Sequence, residues 1–203
     1  MSITSVAFLA FVAVLVVVYY ILPMKCRWVW LLLASLYFYV SYDPKLSLWL
    51  FGTVFCIYIA GLILQSYNDK YEKLLSECEV SEKKAIKKQA KSEKSKISVI
   101  FVAMLVLVWI GFKFGAKFVN MYRGIVGNTD EQMSTFVAPL GLSFFILIAI
   151  SYVVDIKRGK IEAQKNPLKL LLWLGYFPQM IQGPIVRYKE TSGALIKGNQ
   201  DRK

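Results

Sequence analysis

The stretch LSLWLFGTVFCIYIAGLILQSYN, Leu46 to Asn68, runs for 23 residues without a charged side chain. About 20 such residues, wound as a helix, cover the hydrocarbon core of a bilayer. Three more runs behave alike: Met1 to Met24 is free of charge for 24 residues, Gln132 to Val154 for 23 and Ile97 to Phe112 for 16. A fifth, Trp28 to Tyr42, holds 15 and spans where its neighbours shield its ends or the bilayer thins around it. With 57% hydrophobic and 15% aromatic residues and a mean hydropathy of +0.50, the chain is too apolar for a soluble globular domain. The first run is no secretory leader, because no basic residue precedes it and it is too long; it reads as a retained transmembrane helix. The pattern predicts an all-α polytopic transmembrane bundle of about five spans, a single membrane domain over residues 1–203.

The formal net charge of +12 raises the question of nucleic acid, but topology accounts for it without one. With the N-terminus outside and the segment after Leu170 returning instead of crossing, 21 of the 25 basic residues fall on the cytoplasmic side. Only Lys45, Lys113, Lys117 and Arg123 stay outside, an orientation that the positive-inside rule favours strongly. The three cysteines have no metal-ligand spacing and there is no histidine, so no metal site is expected.

One large polar insertion, residues 65–96, carries nine lysines against six acids. Within it Tyr67, Tyr71, Leu74, Leu75 and Cys78 recur at helical spacing on one face, which predicts a charged cytoplasmic helical extension. Its lysines read first as a solvated face. Gly127 to Asp130 supplies turn chemistry for an outside loop, and Gly111 with Gly115 forms a small-xxx-small pair.

The segment LLLWLGYFPQMIQGPIVRYKE, Leu170 to Glu190, breaks the pattern. Its first 17 residues are uncharged, yet they contain Gly175, Pro178, Gly183 and Pro184 with the amides Gln179 and Gln182. Proline removes a backbone donor and clashes with the preceding turn, so an uninterrupted helix is not expected. Broken backbone at membrane depth survives where protein or a wet cavity satisfies it. Two readings stand side by side: a re-entrant or interfacial element beside a chamber, with Arg187 and Tyr188 at its cytoplasmic rim, and a Pro-kinked span. Upstream, in APLGLSFFILIAISYVVDIKRGK, Ala138 to Lys160, Asp155 and Arg158 are i,i+3 neighbours expected to pair at a helix exit.

Together these two segments resemble the membrane-bound O-acyltransferase family, in the branch of alginate O-acetyltransferases and the D-alanyl transfer proteins of teichoic acid synthesis. The motif Phe177-Pro178-Gln179 followed by Gly183 to Tyr188 carries the resemblance, with Leu140 to Phe145, Ser151 to Asp155 and Arg158-Gly159 before it. Leu31 to Lys45 and Gly111 to Phe118 are weaker echoes.

The resemblance implies transfer of an acetyl-type acyl group from a cytoplasmic thioester, carried by coenzyme A or an acyl carrier protein, to hydroxyls of an extracytoplasmic polysaccharide. It makes Phe177, Pro178, Gln179, Gln182, Gly183, Pro184, Arg187 and Tyr188 candidates for the tunnel or motif, with Asp155 and Arg158 at the rim. The family's general base is an intramembrane histidine downstream of this motif, and imidazole suits that task because its pKa lies near the working pH. The chain contains no histidine, so the resemblance implies the N-terminal portion of such an enzyme, truncated and inactive by itself. Two other classes remain open: a small transporter component, since broken helices also mark carrier sites, and a non-catalytic scaffold whose lysine-rich arm docks a partner such as an acyl carrier protein.

Overall fold

The computed structural model describes residues 6–42, 44–78, 82–126, 141–182 and 187–197, and no strand occurs among them. α1 (Val6–Ile21) and α2 (Met24–Tyr42) part at Pro23, which cannot continue a helix. Arg27 Nε donates to the Leu22 carbonyl at 3.0 Å and satisfies a group left open at that break. α2 contains the whole Trp28 to Tyr42 run.

α3 (Pro44–Glu77) and α4 (Lys83–Val126) are longer than their apolar runs. The charged stretch 65–96 is therefore the end of one helix and the beginning of the next. Of the helical face read from the sequence, Tyr71 is buried, Tyr67, Leu75 and Cys78 are half-buried and Leu74 is exposed. The Tyr71 hydroxyl bonds the Glu93 carboxylate across the two arms. Lys94 Nζ donates to Asn68 Oδ1 at 2.8 Å nearby.

α3 packs against α4 and α5 (Leu142–Lys157), and also against α2 and α6 (Pro167–Leu174). On α5 the buried residues Leu142, Phe145, Ala149, Tyr152, Val153 and Ile156 recur every three or four positions, the stripe of a helix facing protein. Gly61 of α3 permits the close approach. A Cβ there would lie 3.3 Å from both the Tyr152 ring and the Ile156 terminal methyl.

The outer faces are apolar too. α1 exposes Val6, Leu9 and Val17, and α4 exposes Val99, Ile100 and Leu107. Two helices, Ser47–Glu77 and Lys83–Gly115, are long and apolar enough to cross a membrane. Only 11% of the apolar stretch of the second is buried, so it needs an apolar surrounding that the described residues do not provide. Among the described residues nothing lies within 4 Å of a Cβ built on Gly111 or Gly115, so the small-xxx-small pair meets no described helix there. The turn at 127–130, with Pro139 and Leu140, lies outside the described residues.

Candidate functional site

The broken segment is built from short pieces with identifiable stops. Asn166 caps α6: its Oδ1 accepts from the backbone amides of Leu168 at 2.9 Å and Lys169 at 3.4 Å, and Pro167 occupies the first turn, where its missing donor costs nothing. Asn166→Ala is expected to lower folding stability by about 1 kcal/mol. Asn166→Asp keeps the acceptor and should stay near wild type, and unfolding in detergent micelles compares the two. α6 stops at Gly175, whose amide donates to the Leu171 carbonyl at 2.8 Å; a Cβ there would sit 2.9 Å from that same oxygen. After a turn, α7 (Phe177–Gln182) carries Pro178 in its first turn, and α8 (Tyr188–Ser192) leads into a π-helical turn, Gly193–Lys197.

The chain leaves Gln164 and comes back to it. Gln164 Nε2 donates to the Tyr188 hydroxyl at 2.8 Å, while its backbone amide donates to the Tyr152 hydroxyl at 2.9 Å. The Tyr188 ring stands edge-on to Trp173 at 5.0 Å and to Tyr152 at 5.3 Å. Trp173 Nε1 donates to Thr191 Oγ1 at 2.9 Å and locks α6 to α8. Tyr188 thus lies beside Gln164, 24 positions before it.

The shared end is also where the charged arms begin. Ala163 donates its amide to Gln65 Oε1 at 3.1 Å, the Tyr58 hydroxyl donates to the Lys165 carbonyl at 2.9 Å, and Asn68 Nδ2 donates to the Ile156 carbonyl at 2.8 Å.

The motif residues have separate fates. Phe177 sits in an aromatic nest, 5.3 Å from Phe38, 5.7 Å from Phe11 and 6.4 Å from Phe8, which ties α7 to α1 and α2. Pro178 is exposed. Gln179 is buried and its Nε2 has no hydrogen-bond partner among the described residues, a condition shared by the Tyr39 hydroxyl and Ser151 Oγ. Buried polar atoms are seldom left so, and each such group calls for an explanation. Gln182 ends α7, whereas Gly183 and Pro184 lie outside the described residues. Arg187 is exposed and caps α8 through its backbone, accepting at its carbonyl from Glu190 and Thr191, while Tyr188 is buried.

Asp155 and Arg158 do not pair. Asp155 is buried on α5, whereas Arg158, the C-terminal cap of that helix, is exposed, and no ion pair joins them among the described residues. No group of histidine, cysteine or carboxylate side chains suited to a metal occurs among the described residues. Sequence reasoning did not single out Tyr152, Gln164, Asn166 or Trp173. Only Asn166-Pro167 left a readable signal, as a helix-start pair.

These features define an all-helical chain with helices of membrane-crossing length and a broken hairpin folded back on one end of the bundle. Its sequence relatives name a chemistry. The chain is 31% identical over 77 residues to a probable alginate O-acetylase of Pseudomonas putida, covering 38% of this chain and 16% of that protein. It is 30% identical over 77 residues to the corresponding protein of Pseudomonas aeruginosa, 15% of whose length is covered. With the peptidoglycan O-acetyltransferase of Helicobacter pylori it shares 26% identity over 186 residues, 79% of this chain and 31% of that enzyme. No family model matches the chain, and no solved structure does. The chain is thus similar, over part of its length, to proteins named as O-acetylases or O-acetyltransferases of alginate and peptidoglycan, and it spans well under half of each.

Proposed function

We propose that these residues form the N-terminal portion of a membrane-bound O-acyltransferase in a bacterial cytoplasmic membrane. It transfers an acetyl-type group from a cytoplasmic thioester, of coenzyme A or an acyl carrier protein, to hydroxyls of an extracytoplasmic polysaccharide. The observation that carries this reading is the similarity to both alginate and peptidoglycan O-acetyltransferases, two kinds of protein named for the same transfer to different polymers.

Physical chemistry supports the same picture. Donor and polymer lie on opposite sides of a bilayer, so the protein must offer polar groups at membrane depth, and broken backbone does this where protein shields it. On this reading the chain makes about five spans with its N-terminus outside. Residues 167–188 then form a re-entrant hairpin opening to the cytoplasm, and the unpartnered Gln179 amide lies toward the passage. A chain of 203 residues without histidine has no imidazole to deprotonate the accepting hydroxyl. The transfer therefore draws its base from outside these residues.

Co-expression with the histidine-bearing C-terminal part of an alginate O-acetylase tests this. O-acetylated polymer is expected from the pair and not from either part alone, and Arg187→Ala in this chain is expected to cut the yield about tenfold, the weight of one charge-assisted contact. A pair that is stably assembled in the membrane and leaves the polymer unacetylated contradicts the reading.

A further inference from the structure

Where the two charged arms meet the end of α5, they enclose a cavity of about 660 Å³, within the range of sites that hold small molecules. Its walls carry Lys87, Lys91, Lys94, Lys157 and Arg158 against a single carboxylate, Glu72. The neighbouring Glu93 is held by Tyr71 and by Gln89 Nε2 at 3.3 Å.

Two of the ammonium groups are fixed by neutral partners: Lys94 Nζ donates to Asn68 Oδ1 at 2.8 Å and Lys157 Nζ to Ser95 Oγ at 3.1 Å. Each has two further donors. Among the described residues none of the five cations has an ion pair. Five like charges around one cavity repel unless an anion joins them. Ammonium and guanidinium groups together suit phosphate, the first as point charges and the second through its planar fork.

We infer that this cavity binds a phosphate-bearing anion, held by Lys87, Lys91, Lys94, Lys157 and Arg158. The same chemistry has two sources, a soluble phosphorylated compound or the headgroup of an anionic phospholipid. The site stands on its own geometry, and a chain with no part in acyl transfer would bind in the same way.

Amine footprinting of the chain in phosphatidylcholine nanodiscs tests it. Acetylation by an N-hydroxysuccinimide ester is followed by mass spectrometry at Lys87, Lys91, Lys94 and Lys157, with the exposed Lys70 and Lys165 as references. One arm adds inorganic pyrophosphate against sodium chloride of equal ionic strength, and the other replaces part of the phosphatidylcholine with phosphatidic acid. A several-fold slowing at the cavity lysines, absent from the references, is expected in at least one arm. Slowing by pyrophosphate assigns a soluble ligand, and slowing by phosphatidic acid assigns a headgroup. The double variant Lys91→Gln with Arg158→Gln, both at exposed positions, should return Lys94 and Lys157 to the reference behaviour. Equal labelling of cavity and reference lysines in both arms, or protection unchanged in the double variant, overturns the inference.

Discussion

Replacing Trp173 with alanine is expected to lower folding stability by about 3–5 kcal/mol. The indole is fully buried, its N–H is bonded to Thr191, and its ring meets both Tyr152 and Tyr188. Packing, more than water exclusion, holds helices together in lipid, so a void at this point removes the contacts that join α6, α8 and α5. Trp173→Phe keeps the ring contact and loses the hydrogen bond, at a cost of about 1 kcal/mol. Unfolding in mixed micelles orders the three proteins. An alanine variant as stable as the phenylalanine variant would mean that the hairpin does not rest on this residue.

Gly61→Leu is expected to have the next largest effect. The first added carbon already meets Tyr152 and Ile156 at 3.3 Å, so a leucine forces α3 and α5 apart at a cost of about 1–3 kcal/mol. Separation also stretches the bonds from Asn68 to Ile156 and from Gln65 to Ala163, which lie further along the same helix. Gly61→Ala should fall between wild type and leucine, since Tyr152 and Ile156 have only a few tenths of an ångström to yield. The graded series is read by the same unfolding measurement. A leucine variant with wild-type stability contradicts the close packing of these helices.

The helical class was legible because charge-free runs of 15 to 24 residues leave few alternatives. In the charged arms helical spacing put Tyr67, Tyr71, Leu74, Leu75 and Cys78 on one face, of which Tyr71 is buried and Leu74 exposed. The stops of the hairpin were only half legible. Pro178 and Gly175 announced interruptions, but nothing local told a hairpin from a kinked span. That distinction rests on Gln164, which reaches Tyr152 and Tyr188 at separations of 12 and 24 positions. Periodicity reports which face of a helix is apolar and says nothing about which loop amide meets which hydroxyl.

The Asp155–Arg158 pair failed for a geometric reason. The helix still reaches Arg158, whose amide donates to the Val154 carbonyl at 3.0 Å, but Asp155 is buried against protein while Arg158 is exposed, so the two side chains lie in different surroundings. Gly111 and Gly115 show the converse, a helix-contact pattern on a face that meets no helix among the described residues.

The central claim is that residues 167–188 return to the end of the bundle from which the lysine-rich arms project. Two single-cysteine variants, Lys88→Cys and Lys189→Cys, both at exposed positions, test it after Cys26, Cys56 and Cys78 are replaced by serine. A membrane-impermeant maleimide is applied to intact cells and to inverted vesicles. Both cysteines are expected to react in inverted vesicles and neither in intact cells. Labelling of Lys189→Cys in intact cells, with Lys88→Cys reactive only in inverted vesicles, would contradict it.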